Sequence, residues 1–137
     1  MFENDYIMRM ILQYLRFLRQ ALQQKHKDPR EAAMDIEQQI GQAVNIDSSL
    51  LFSLSPDSMV AMLELSGYDQ RLAEYMVRAM ALNASLLEQA GFINQADLRR
   101  QQLEALILSF RLEIEAAELT VEALEAFTES QIKEYGE

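Results

Sequence analysis

The chain has 137 residues, of which half are hydrophobic and a quarter are charged, a balance typical of a globular domain with its own core. It contains no cysteine, which excludes disulfides and cysteine-based metal centres. Its net charge of -10 argues against nucleic acid as a partner, because binding a polyanion depends on Lys and Arg. Arginines interrupt the longest apolar stretch, so no membrane span is predicted, and we expect a cytoplasmic protein.

Charge is distributed unevenly along the chain. Residues 1–30 contain six basic and three acidic residues, whereas the rest is strongly acidic. We interpret 1–137 as a single helical domain, with a basic amphipathic N-terminal helix and linker over 1–27 and an acidic helical body over 28–137. A basic helix of this kind docks on its own acidic body, on that of a second copy, or on an anionic surface.

The first predicted helix covers about residues 5–24, where apolar residues recur at steps of three and four from Ile7 to Ala21. Further apolar residues widen this stripe beyond the single face that a surface helix needs. The excess apolar surface must be covered, either by the rest of the chain or by a partner.

Capping residues, prolines and glycines predict where the following helices begin and end. Asp28-Pro29 and Ser55-Pro56 each place a capping side chain before a proline, which predicts the starts of two helices. Residues 45–54, between these helices, predict a short helical turn or an apolar plug. Gly67 is expected to end the second of the two helices.

The remaining pattern predicts three more segments. Asp69 caps a helix of about 20 residues that ends at Gly91, Asn94 begins the next, and Thr120 caps the last. The segment 103–112 is apolar nearly all round, which is typical of a helix central to a bundle or sandwiched in a dimer. No strand alternation persists, so we predict an all-α fold of six to seven antiparallel helices, in a compact bundle or a tetratricopeptide-like array.

Two resemblances add to this pattern. The spacing of Ala84, Leu87, Gly91 and Ala96 resembles one helical hairpin of a tetratricopeptide repeat, but no copy recurs 34 residues away, so a solenoid is not predicted. The opening residues MFENDYIMRM resemble the start of a family of small all-helical bacterial proteins of unknown function. That resemblance implies a cytoplasmic helical domain and assigns no activity.

The best candidate for function is the wide apolar face of the first helix, together with the apolar segment 103–112. We interpret the chain as a non-catalytic protein-interaction or structural module that forms a homodimer or binds another protein. Packing inside its own core explains the same residue types equally well. The predicted interface residues are Tyr6, Ile7, Met10, Ile11, Tyr14, Phe17, Leu18, Leu108 and Leu112.

Two alternative functions stay open. Residues 2–25 have the composition of a helix that lies on an anionic membrane. Phe2, Tyr6, Ile7 and Phe17 would enter the headgroup layer, and Arg9, Arg16, Arg19 and Lys25 would meet anionic lipid. An enzyme acting on a small molecule or using a metal needs carboxylates inside the bundle, and Glu113 or Glu115 are the candidates.

The residue types of a catalytic or metal site are scarce. The acidic stripe Glu118, Glu122, Glu125 and Glu129, which Glu115 extends, has no Glu-x-x-His pair and is expected to face water or basic residues of the first helix. His26, the one histidine, lies between lysines in a linker, as exposed loop residues do. The eight methionines fit core packing better than an adaptable groove. No catalytic residue, cofactor or metal ligand is predicted.

Overall fold

The structure, a computed structural model, describes residues 2–24 and 27–135, with side chains from residue 4 onward. Within these residues it contains helices and no strand, so the all-α prediction is confirmed. The predicted loop residue His26 lies outside the described residues. The elements in chain order are α1 (Phe2–Gln23), α2 (Pro29–Val44), α3 (Ser48–Ser53), α4 (Pro56–Leu65), α5 (Gln70–Gln89), α6 (Ile93–Ser109), a short 3-10 helix (Ala116–Leu119) and α7 (Val121–Glu134).

The predicted helix caps are present. The side-chain oxygens of Asp28, Ser55, Asp69 and Thr120 each accept a hydrogen bond from a backbone N–H in the first turn of α2, α4, α5 and α7. These bonds satisfy donors that the helix itself leaves without a partner. The predicted start of the next helix at Asn94 is one residue late, because α6 begins at Ile93, and this helix has no side-chain cap.

The centre of the molecule is α5. Thirteen of its 20 residues are buried, and α1, α2, α6 and α7 pack around it. Small side chains such as Ala73, Ala79 and Ala84, each almost fully buried, let the neighbouring helices approach closely. Therefore α5 fills the central position that the sequence assigned to the segment 103–112.

That segment does not continue as one helix. The helix α6 ends at Ser109, and Arg111 has a left-handed backbone with φ of 55°. The Leu112 N–H donates to the Ile107 carbonyl at 2.9 Å, and the Arg111 N–H donates to the Leu108 carbonyl at 3.3 Å, which is the pattern of a Schellman terminus. The chain then turns back, so Leu112 and Ile114 are buried from a connecting segment rather than from a helix face.

The helices are antiparallel only in part. The C-terminal turns of α1 lie beside the first half of α2, and α5 and α6 form an antiparallel hairpin through Gly91. By contrast, α4 and α6 run parallel. Gln102 of α6 donates to the Leu54 carbonyl just before α4 at 2.8 Å, and at the far ends Ser109 of α6 donates to Glu64 of α4.

Candidate interaction surface

The predicted interface residues separate into two groups in the structure. Six of them are at most 8% exposed and pack against helices of the same chain: Ile7, Ile11, Tyr14, Phe17, Leu18 and Leu112. Met10 is half-buried. Only Tyr6, at 47% exposed, and Leu108, at 80%, face outward. Most of the wide apolar face of α1 is therefore covered by the chain's own core, although Tyr6 and Met8 stay 47% and 41% exposed. Leu108 is the most exposed member of the predicted set.

Leu108 is accompanied by a second exposed leucine. Leu65, the last residue of α4, is 89% exposed, and these two exceed every other large apolar side chain among the described residues. Leu65 directly follows Glu64, and Leu108 directly precedes Ser109. The hydrogen bond between Glu64 and Ser109 joins the ends of the two parallel helices. When two parallel helices touch at one residue each, the residue that follows the contact on one helix and the residue that precedes it on the other point to the same side of the pair. The two leucines therefore share one surface.

The helical period explains why these leucines point outward. Leu65 lies two positions after Leu63, and Leu108 two positions after Leu106, so each is turned by about 200° from its buried neighbour. Leu63 and Leu106 are at most 1% exposed and belong to the core. The packing that buries the first pair thus leaves the second in solvent.

Small side chains lie beside the exposed leucines. One turn before Leu65 is Ala61, which is exposed, and one turn before Leu108 is Ala105, which is half-buried. A methyl group in place of a longer side chain leaves room for the side chain of a binding partner. We call the surface formed by Ala61, Glu64 and Leu65 of α4 and Glu104, Ala105 and Leu108 of α6 the α4–α6 face.

The surroundings of this face are acidic. Its own Glu64 and Glu104 are exposed, as are Asp57 and Asp97 near the starts of the same two helices. No basic residue occurs in α4. Of the two arginines in α6, Arg99 is buried and Arg100 forms an ion pair with Glu88 at 2.9 Å. Arg111, three residues after Leu108, is exposed as well, so the apolar face is bordered by these four carboxylates and by the Arg111 guanidinium.

A buried polar cluster fixes α6 in this orientation. The Arg99 side chain donates to Asn83 Oδ1 at 2.6 Å, to Gln102 Oε1 at 2.6 Å and to the Glu37 carboxylate at 2.9 Å. Its guanidinium also lies over the Phe52 ring, 4.3 Å from the centroid. Through these contacts α2, α3 and α5 all hold one side chain of α6.

The rest of the cluster is satisfied as well. Asn83 donates to the Ala33 carbonyl at 2.8 Å, and Gln102 donates to the Phe52 carbonyl at 3.2 Å. Burial lowers the pKa of the Arg99 guanidinium from its ordinary value, and the Glu37 carboxylate opposes that shift. A buried cluster with its hydrogen bonds made is rigid, so it acts as a support rather than as an open binding site.

The predicted acidic stripe is divided between two elements. Glu118 belongs to the 3-10 helix, where its carboxylate accepts from the Glu115 N–H at 2.8 Å. Glu122, Glu125 and Glu129 lie on the outer side of α7. Arg19 of α1 is 3.9 Å from Glu129, with both side chains about half exposed. A groove of about 290 Å³ between α1 and α7 contains this pair and Glu125, so the basic helix lies on the acidic body of its own chain.

The carboxylates proposed for an enzyme site are not inside the bundle. Both candidates, Glu113 and Glu115, are exposed, and so are the glutamates of the acidic stripe, Glu118, Glu122, Glu125 and Glu129. Within the described part of the chain, no three His, Cys, Asp or Glu side chains are grouped so that they could hold a metal ion. Three of the methionines, Met59, Met76 and Met80, are fully buried in the core rather than lining a groove.

The membrane alternative loses two of its four apolar side chains, while Tyr6 stays 47% exposed. Ile7 and Phe17 are 5% exposed and belong to the core, and the side chain of Phe2 lies outside those described. None of the helices over residues 2–24 and 27–135 combines the length and apolar character that crossing a membrane requires.

Comparison with protein-family models, with curated proteins and with solved structures finds no match to this chain. The hairpin of α5 and α6 does contain the residues on which the tetratricopeptide-like resemblance was based. Gly91 has a φ of 89° in its turn, and Ala84, Leu87 and Ala96 are at most 2% exposed at the contact between the helices. Both the repeat resemblance and the resemblance of the opening residues stay predictions.

Proposed function

We propose that the protein is a non-catalytic interaction module, whose α4–α6 face binds another protein chain. The observation that supports this proposal is the pair of leucines, 89% and 80% exposed, on the same side of two parallel helices, of which α6 is held in place by a buried cluster. Burying one leucine side chain contributes about 1.5 to 3 kcal/mol, so two adjacent ones supply a useful part of a binding energy. A well-packed apolar centre with a polar border is also the usual anatomy of a protein interface.

Of the two partners predicted from the sequence, a second copy of the chain or another protein, the second copy is tested first. Light scattering of the intact protein and of the double variant Leu65→Ser, Leu108→Ser tests this directly. If the face joins two copies, the intact protein is a dimer and the double variant is a folded monomer. Both leucines are in solvent, so the substitutions leave the core intact. A double variant with the same molar mass as the intact protein refutes self-association through this face.

A matched variant separates this face from α1. Ile7→Asp with Ile11→Asp places two carboxylates in the core, where the native side chains are 5% and 6% exposed. Burying unpaired charge is strongly unfavourable, so this variant is expected to unfold. A folded monomer from it instead assigns the interface to α1, as the sequence first suggested.

A further inference from the structure

We propose that the occupant of the α4–α6 face is a basic amphipathic helix of another protein, with leucine-sized side chains on its apolar side. This inference rests on the proposed function and gives the partner its chemistry. Two parallel helices with small side chains beside exposed leucines form a shallow apolar site, and an amphipathic helix is the peptide element that fits such a site. The helix α4 has 10 residues, about 15 Å, so a docked helix of three turns matches its length.

The charge of the partner follows from the border of the face. Glu64 and Glu104 lie within it and Asp57 and Asp97 lie near its other end, all exposed. The nearest arginine within α6 outside the core, Arg100, is already paired with Glu88, and the exposed Arg111 just after α6 offsets only part of the charge of the four carboxylates. A partner with Lys or Arg beside its leucines complements this border, which speeds association and selects against acidic partners.

The same charges disfavour a second copy. A twofold symmetric pair places the same patch of each copy against itself, so Glu64 and Glu104 would face one another across the interface. Like charges in contact across an interface are unfavourable. The helix α1 of a second copy, with its exposed arginines, lacks the leucine stripe of such a partner, because Ile11, Tyr14 and Leu18 are at most 6% exposed. Among its large apolar side chains from residue 4 onward, only Tyr6 and Met8, near its N-terminal end, are exposed, at 47% and 41%.

The test uses the full-length protein and three synthetic helical peptides with an identical leucine stripe, whose other positions are lysine, glutamine or glutamate. Binding is measured by calorimetry at low and high salt. We expect the lysine peptide to bind at one per chain, at least tenfold tighter than the glutamate peptide and more weakly at high salt. Leu65→Ser and Leu108→Ser are each expected to weaken it about tenfold, the equivalent of about 1.4 kcal/mol.

Leu50→Ser is the matched control, because Leu50 is 49% exposed on α3 and lies outside the face. We expect this variant to bind the lysine peptide as the native protein does. Binding that no leucine variant weakens overturns the inference, because the peptide then sits on another acidic surface such as α7.

The remaining outcomes separate the test of the partner's charge from the test of the docking surface. If the glutamine or glutamate peptide binds as tightly and still depends on both leucines, the face docks helices, but the basic partner is refuted. A dimer that Leu65→Ser dissociates likewise assigns the face to a second copy, so the inference fails and the proposed function stands. If no peptide binds and the protein is a monomer, both are overturned.

Discussion

The buried cluster around Arg99 leads to the sharpest prediction about stability. In Arg99→Met the hydrogen bonds to Asn83, Gln102 and Glu37 are lost, and the Glu37 carboxylate, with a side chain 13% exposed, remains without its cation. Removing one partner of a buried ion pair costs about 3 to 5 kcal/mol, because the other charge stays buried and uncompensated. Such a loss is a large share of the roughly 5 to 15 kcal/mol that holds a domain folded.

Urea unfolding measures this loss. With a slope near 2 kcal/mol per molar urea, the midpoint should fall by about 1.5 to 2.5 M. Arg100→Met is the matched control one residue along α6, since its ion pair with Glu88 has side chains 39% and 56% exposed. Exposed pairs contribute about 0 to 1 kcal/mol, so this midpoint should hardly move.

The double variant Arg99→Met, Glu37→Leu tests whether the loss comes from the uncompensated Glu37 carboxylate. It removes the orphaned charge, so it should be more stable than Arg99→Met alone. Equal midpoints for the two arginine variants, with a loss below about 1 kcal/mol in both, refute the assignment of α6 orientation to the buried cluster.

Three further predictions concern the helix ends and the buried tyrosines. Gly67→Ala and Gly91→Ala should each lower the free energy of unfolding by about 1 kcal/mol in urea melts, because their φ angles of 71° and 89° are unfavourable for alanine. The added methyl meets nothing within 4 Å, so backbone strain is the whole cost. Arg111→Gly should raise it by about 0.5 to 1 kcal/mol, since a non-glycine residue holds φ of 55° there; a decrease contradicts this. Burial, then the nearby Tyr68, raises the pKa of Tyr14 above its ordinary 10.0, so the fold keeps this proton more tightly than the unfolded chain. Its contribution is complete well below pH 10, where the unfolded chain is also protonated, and is lost as the pH rises further. Tyr14→Phe should therefore reduce the fall in stability between pH 10 and 11 by about 1 kcal/mol, and an unchanged slope in urea midpoints contradicts this.

The helix boundaries were predictable wherever a local signal marks them. Asp28, Ser55, Asp69 and Thr120 each carry a side chain that satisfies a backbone donor within three residues, so the sequence alone is sufficient. The end of α6 carries no such signal. Arg111 adopts the left-handed conformation that glycine or asparagine usually takes, and an arginine in the sequence does not predict this conformation.

The buried cluster was not predictable from the sequence for a different reason. Arg99, Asn83 and Gln102 resemble members of polar helix faces, and their burial depends on partners 16 to 62 residues away along the chain. Periodicity reports which face is apolar, not which polar side chain will find a partner across the core.

The candidate surface was predictable in part. Leu108 was among the predicted interface residues, while the other exposed leucine was missed. Leu65 lies two positions from Leu63, on the opposite side of α4 from the buried pair Met59 and Leu63, so the helical period alone indicates its exposure. That α4 lies beside α6 is a matter of tertiary packing, which no local pattern contains.

The central position of α5 also sets the order in which the protein can fold during its synthesis. Residues 2–65 hold four helices, yet the buried faces of α1 and α2 find their main support in α5, which begins only at Gln70. At about 5 to 20 residues per second, the 20 residues of α5 take roughly 1 to 4 seconds to make. Until then the first helices expose apolar surface on the nascent chain, and this interval is when the chain most needs protection from aggregation.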